Sequence, residues 1–240
     1  MVITTRQRRY HLFGNDQLQV SFDGSPLQKT SCHKVLGVEI HQDLSWSSHI
    51  NMICKKIRSK LFLLSKVKCF LPFHARKLFF NSYILPHFDF CLSLWGWERD
   101  NHFNRLNVLH RKAMRLILGV QCYSDMTSVD MLKKLGWFPL KYRRKFKVVQ
   151  MVYKALNNMS PPYISNMLCL ESSTKRATRS SSDYKLQVPF SRCKFGDFSF
   201  RATGPRCFNE LPSSIRCLPT YKSFTSACYK YYMNSFIRDN

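Results

Sequence analysis

The stretch HKVLGVEIHQDLSWSSHINMICKKIRSKLFLL, residues 33–64, changes its period partway along. Residues 33–40 are rich in β-branched and apolar side chains and read as extended chain, with Gly37 marking a bulge or a close backbone approach. Further on, Ile50, Ile53, Ile57, Leu61 and Leu64 recur 3, 4, 4 and 3 residues apart, which is one face of an α-helix. Lys55, Lys56, Arg58 and Lys60 fall between these positions and face away. Ser45 or Ser47 is placed to cap the helix start. Upstream, QLQVSF (17–22) alternates like a strand, and Asp23-Gly24-Ser25-Pro26 signals a turn.

Downstream the helical period dominates. A second helix is predicted from His74 to about Leu85, where Pro86 kinks or ends it because proline lacks the N–H. Phe88 to Trp97 continues as buried chain, with a break at Gly96. A third helix spans about Asn101 to Leu118, with Phe103, Leu106, Leu109, Ala113, Leu116 and Ile117 inward. Arg105, Arg111, Lys112 and Arg115 form its basic face, and Gly119 stands as C-cap. A short helix, Ser128 to Leu135, starts at Thr127 or Ser128 and ends at Gly136. The next helix runs from Pro139 to about Asn157, with Phe146, Val149, Val152, Tyr153 and Leu156 inward. Its first turns carry Lys141, Arg143, Arg144, Lys145 and Lys147, which oppose the helix dipole. Pro161-Pro162 opens a small helix to about Leu168, and the Ser-rich basic run 171–183 reads as exposed linker. Residues 184–240 read as turn-rich, partly strand-like pieces, then a final helix from about Ser223 to Phe236.

The charge is uneven. The chain has 240 residues with 38 Lys+Arg against 14 Asp+Glu, a net +24. Residues 1–45 hold 5 bases and 4 acids, residues 46–160 hold 21 and 5, and residues 161–240 hold 12 and 5. The surplus therefore belongs mainly to the helical middle. An ordinary solvated face mixes signs, so this imbalance points to a polyanion, nucleic acid first and an anionic membrane second. With 45% hydrophobic and 14% aromatic residues there is enough material for a core. The start, MVITTRQRRYHLFGNDQ, has no apolar signal region, so an intracellular place, nucleus or cytoplasm, is expected rather than secretion. The most apolar window, 78–97, is interrupted by Asn81, Pro86, His87 and Asp89 and reads as core rather than membrane span.

Catalytic motifs are missing. No two acidic residues are adjacent, and no P-loop, HExxH, GxSxG or GxGxxG occurs. Two-metal phosphoryl transfer needs clustered carboxylates, and the nearest pairs, Glu98 with Asp100 and Glu39 with Asp43, read as solvated side chains. The ten cysteines are never closer than ten residues, so neither zinc-ligand spacing nor a disulfide framework is read. His87 and Asp89 in LPHFDFC read as a buried, hydrogen-bonded pair rather than a catalytic one. No catalytic and no metal-binding residue is assigned.

In order along the chain, HKVLGVEIHQDLSWSSHI with INMICKKIRSKLFLL, FNSYILPHFDFCLSLWG, LNVLHRKAMRLILGV, LGWFPLKYRRKFKVVQMVYKALNNMSPPYISNML and FGDFSFRATGPRCFNELPSSIR resemble one family. It is the reverse transcriptase of jockey-like LINE (non-LTR) retrotransposons, toward its C-terminal end. The resemblance covers about Cys32 onward. It implies a mainly α fold: a small β remnant of the polymerase palm at 1–45, a basic thumb-like helical bundle at 46–168, a linker at 169–184 and a C-terminal segment at 185–240. It further implies that VLGV (35–38) is a hairpin holding the primer end, with Leu36, Gly37 and Val38 at the grip. Lys55, Lys56, Arg58, Lys60, Arg105, Arg111, Lys112, Arg115, Lys141, Arg143, Arg144 and Lys145 would then face RNA, DNA or an RNA–DNA duplex.

The family's metal-binding aspartates lie upstream in an Ala-Asp-Asp type motif, and this chain has no Asp-Asp. A C-terminal fragment is therefore expected, inactive as a polymerase alone and completed by a missing N-terminal polymerase portion. The complete polymerase would need Mg2+; no cofactor is expected in this chain, and no membrane partner. Two other readings stay open on the same residues: a standalone nucleic-acid-binding module, and a non-functional relic.

Overall fold

Two hairpins precede a set of helices, in the computed structural model of the protein. It describes residues 3, 11, 20–97, 100–121, 126–171, 184–192 and 194–239, with the backbone only for 100–102, 194 and 195. Strand β1 (Ser21–Phe22) pairs antiparallel with β2 (Ser25–Pro26) across Asp23 and Gly24, both left-handed. Of the strand expected over 17–22, only 20–22 lie within the described residues. The 33–40 run forms the hairpin that the family resemblance implies at VLGV, with a tight turn where the residue pattern alone read a bulge or close approach at Gly37. It is β3 (Cys32–Val35) and β4 (Val38–His41), paired with Val35 opposite Val38. The two residues between them, Leu36 at φ 47 and Gly37 at φ 88, are both left-handed, which is the turn a two-residue hairpin favours.

Helix α1 (Ser47–Val67) buries His49, Ile50, Ile53, Cys54, Ile57, Leu61 and Leu64. Trp46 occupies the cap position without a side-chain cap, while the Ser45 hydroxyl one residue earlier accepts from Ser47 N–H at 3.4 Å and lies 2.9 Å from the Ser47 hydroxyl. Next come α2 (Phe73–Phe79), a π-helical turn (Phe80–Ile84) and α3 (Leu85–Asp89). Pro86 thus neither ends nor sharply breaks the helix. Its missing N–H and bulky ring oppose a regular turn, and the chain widens instead, with Leu85 N–H donating five residues back to Phe80 O. A short α4 (Leu92–Trp95) follows left-handed Cys91 and ends at Gly96.

Helix α5 (Asp100–Leu118) packs along α1 and ends at Gly119, φ +72. Helix α6 (Ser128–Leu135) begins with a full capping box, in which Thr127 and Asp130 satisfy each other's backbone N–H. Helix α7 (Leu140–Leu156) is central: α4, α10 and α12 all pack on it. The small α8 (Pro162–Ser165) follows.

The C-terminal segment departs furthest from expectation. It is helical, with α9 (Lys194–Asp197), α10 (Phe200–Asn209), α11 (Ser213–Arg216) and α12 (Tyr221–Arg238). Its strand-like part is one bridge, Leu170 to Leu186. Gly204 and Pro205 lie inside α10, and a Cβ at Gly204 would stand 3.1 Å from Val152 of α7. The glycine is there for close helix approach, not for a turn. Residues 172–183, most of the expected linker, lie outside the described residues.

The core is one contiguous cluster running from Ile50 to Phe236. Within it, His110 is 6% exposed, stacked 5.6 Å from Trp137 and close to Phe80 and Phe88. Burial, with a smaller push from Arg143, lowers its pKa to about 3. Below about pH 6.5 the unfolded chain takes up a proton that folded His110 refuses. Its stability contribution is therefore complete above pH 6.5 and is lost as pH falls toward about 3. His49 and His87, both lowered mainly by burial, act in the same direction. His110→Phe keeps a ring in the box and removes the proton site. The wild-type melting temperature should fall from about pH 6.5 downward and the variant's should fall less; parallel curves would contradict this account.

Candidate nucleic-acid interface

The β3–β4 hairpin presents an exposed, strained tip. Leu36 is 91% exposed, and a leucine in the left-handed region costs about 1–2 kcal/mol. Behind it, a Cβ on Gly37 would meet the Phe90 ring at 3.5 Å. Val38 turns the other way and is buried. The strand beyond is tied to α1, where Glu39 N–H donates to His49 Nδ1 at 3.2 Å. His49 is 1% exposed, edge-on to Trp46 and Trp95, and Trp95 Nε1 donates to Phe90 O at 2.8 Å. Burial holds the His49 pKa down against the pull of Glu39, which keeps Nδ1 free to accept. The tip therefore rides on a rigid aromatic base.

The twelve sequence-selected bases divide by environment. On α1, Lys55, Lys56 and Arg58 are exposed and make no hydrogen bond or ion pair among the described residues. Lys60 is half-buried: its ammonium donates to Tyr83 O at 3.1 Å and lies 3.6 Å from the Tyr83 ring centroid, and desolvation lowers its pKa. On α5, Arg111 and Lys112 are exposed in the same unpaired way. Arg105 and Arg115 are half-buried, and Arg105 donates to Asn51 Oδ1 of α1, joining the two helices.

Helix α7 uses its bases differently. Arg143 grips Asp89 with Nε at 2.5 Å and Nη2 at 2.7 Å, and Lys147 reaches the same carboxylate at 3.2 Å. Arg144 lies over Trp97 and Phe103, 4.2 and 4.9 Å from the centroids, and donates to Gly96 O at 2.6 Å. Lys145 pairs with Glu210 at 2.7 Å. Lys141 is exposed. Asp89 is therefore an ion-pair partner of α7, not the mate of His87.

Helical spacing brings Lys55, Arg58 and Lys112 to one seam. Asn51, Lys55, Arg58 and Phe62 follow one another at 4, 3 and 4 residues on α1, and Arg105, Val108 and Lys112 at 3 and 4 on α5. The Asn51–Arg105 bond belongs to both rows, so they flank one seam. No acidic residue occurs on α1, and the only one on α5 is Asp100. Residue types alone singled out neither Phe62, 64% exposed, nor Lys66, whose ammonium lies 5.4 Å from the Phe62 ring centroid. The available signal was that Phe62 falls off the Ile50–Leu64 apolar row.

Other bases are structural. Arg76 and Lys77 of α2 donate to Leu116 O and Leu135 O near the ends of α5 and α6, where carbonyls lack helical partners. Among the described residues, no three His, Cys, Asp or Glu side chains gather to hold a metal ion. No helix among them is long and apolar enough to cross a membrane.

Neither a family model nor a solved structure matches the chain. Three curated relatives, all from Drosophila melanogaster, do match. They are the probable RNA-directed DNA polymerase from transposon X-element (24% identical), the RNA-directed DNA polymerase from mobile element jockey (25%) and the probable RNA-directed DNA polymerase from transposon BS (22%). Each match runs over 114 residues, 46% of this chain and only 12–13% of the relative's length. The chain is thus similar to one segment of the RNA-directed DNA polymerases of jockey-type non-LTR retrotransposons.

Proposed function

We propose that the chain is the nucleic-acid-gripping segment of an RNA-directed DNA polymerase, holding an RNA–DNA or other duplex without doing the chemistry. The observation that carries this is the exposed surface of α1 and α5, where Lys55, Lys56, Arg58, Arg111 and Lys112 make no hydrogen bond or ion pair among the described residues. Five cations without interleaved acids repel one another unless a polyanion meets them. A phosphate backbone supplies charges at short, regular intervals and releases its own counterions on binding. In this reading the α7 bases Arg143, Arg144 and Lys145 hold the helices in place rather than the ligand. The Leu36-Gly37-Val38 tip touches the primer strand, with Gly37 admitting backbone closely. Strain stored at an exposed tip on a rigid base suits a contact element. The remaining polymerase portion would supply the aspartates and Mg2+.

Two measurements test this. Fluorescence anisotropy on an RNA–DNA duplex should give log K falling with log salt at a slope of about −4 to −5, for about five neutralised phosphates. Lys55→Gln with Arg58→Gln should flatten the slope by about 2, whereas Lys145→Gln should leave it unchanged. Salt-independent binding, or none at low salt, would sink the proposal. Separately, primer extension with Mg2+ or Mn2+ should yield no product from this chain alone; templated synthesis would overturn the division of labour.

The contiguous core also suits a second reading, a standalone binding module, since such a module must fold without help. The same salt titration applies to it.

A further inference from the structure

We propose that Phe62 stacks on an unpaired base of the bound nucleic acid, so that the α1–α5 face takes a duplex with a single-stranded overhang in preference to a blunt one. The inference deepens the nucleic-acid reading above and rests on it. Phe62 is 64% exposed on a helix whose other side is fully committed to the core. Lys55, Arg58 and Lys66 stand seven and four residues before it and four after it, on the same side of the helix. Lys66 extends over its ring at 5.4 Å. Water gains nothing from an open phenyl ring there, and each neighbour in its row is a cation.

The chemistry of the surroundings selects the occupant. An apolar protein surface could cover the ring only by desolvating the cations around it, with no acid on α1 to offset them. A nucleotide strand meets both demands at once. Its phosphates lie against the ammonium and guanidinium groups, and its bases offer a flat π face to the phenyl ring. A base inside a blunt duplex has both faces occupied by its neighbours. An unpaired base is free to stack on the side chain, which makes the overhang the distinguishing ligand.

The test uses the full chain and one RNA–DNA duplex, made blunt or with a short single-stranded overhang, read by fluorescence anisotropy at fixed salt. Wild type is expected to bind the overhang form more tightly. Phe62→Ala should weaken that form by roughly five- to hundredfold, while blunt-duplex affinity and the salt slope stay unchanged. Phe62→Trp should keep the preference, and its fluorescence should be quenched by the overhang form alone. It retains a ring, so it carries the test even where Phe62→Ala alters thermal unfolding. Equal affinity for both ligands, or an equal loss on both in Phe62→Ala, overturns the proposal while leaving the duplex reading standing. Failure of both ligands to bind at low salt removes that underlying reading as well. A tryptophan signal that follows protein concentration and ignores the overhang marks the face as a protein contact and overturns the proposal too.

Discussion

Helix α7 has to be central, and it opens with a dense run of cations. That conflict shapes much of the fold. The helix buries Leu140, Tyr142, Val148, Val149, Val152, Tyr153 and Ala155, so its first turns are drawn partly out of water. An uncompensated cation there would be costly. Three different solutions appear on consecutive residues: a bidentate carboxylate for Arg143, aromatic rings and a carbonyl for Arg144, and a surface glutamate for Lys145. Asp89 serves two of these cations, Arg143 and Lys147, and couples α3 to α7. Two acids, Asp89 and Glu210, pair with the bases of α7, whereas α1 carries none. A bare basic face therefore stands beside a helix whose cations are largely compensated.

How far the sequence reached depended on whether the deciding contact was local. The apolar rows of α1, α5 and α7 repeat within a turn or two, and their helices followed directly. Gly119 and Gly136 ended helices where the pattern placed them, and Thr127 capped α6 through a partner three residues away. The π turn was hidden because Pro86 forbids a regular turn without saying how the chain will respond. The Leu36-Gly37 turn was legible only through the family resemblance, because leucine is rarely left-handed and the usual hairpin dipeptides were missing. In α10 the pair Gly204-Pro205 mimicked a break, although the glycine answers to Val152, far away in sequence.

The candidate face was half legible for the same reason. That α1 and α5 carry bases off their apolar rows is a matter of spacing. That Arg143 and Arg144 turn inward is not, since Asp89 and Gly96 lie 54 and 48 residues away. A count of positive charge therefore does not separate the α7 bases that have partners within the fold from the exposed ones of α1 and α5. Phe62 was undervalued because an aromatic residue on a helix is ordinarily core.

The π turn between α2 and α3 has a genetic corollary. It accommodates one residue more than a regular turn would hold, without interrupting the helix. Removing a single codon within 80–84 would take away the residue that lets the turn widen while Pro86, which cannot take a regular turn, stays; the helix would have to break there and α3 would lose its place against α7. The Asp89 carboxylate would then leave Arg143 and Lys147, although no residue of that ion-pair network had been altered. The length of this segment is thus constrained as tightly as its composition, and in-frame deletions there should be far more damaging than substitutions.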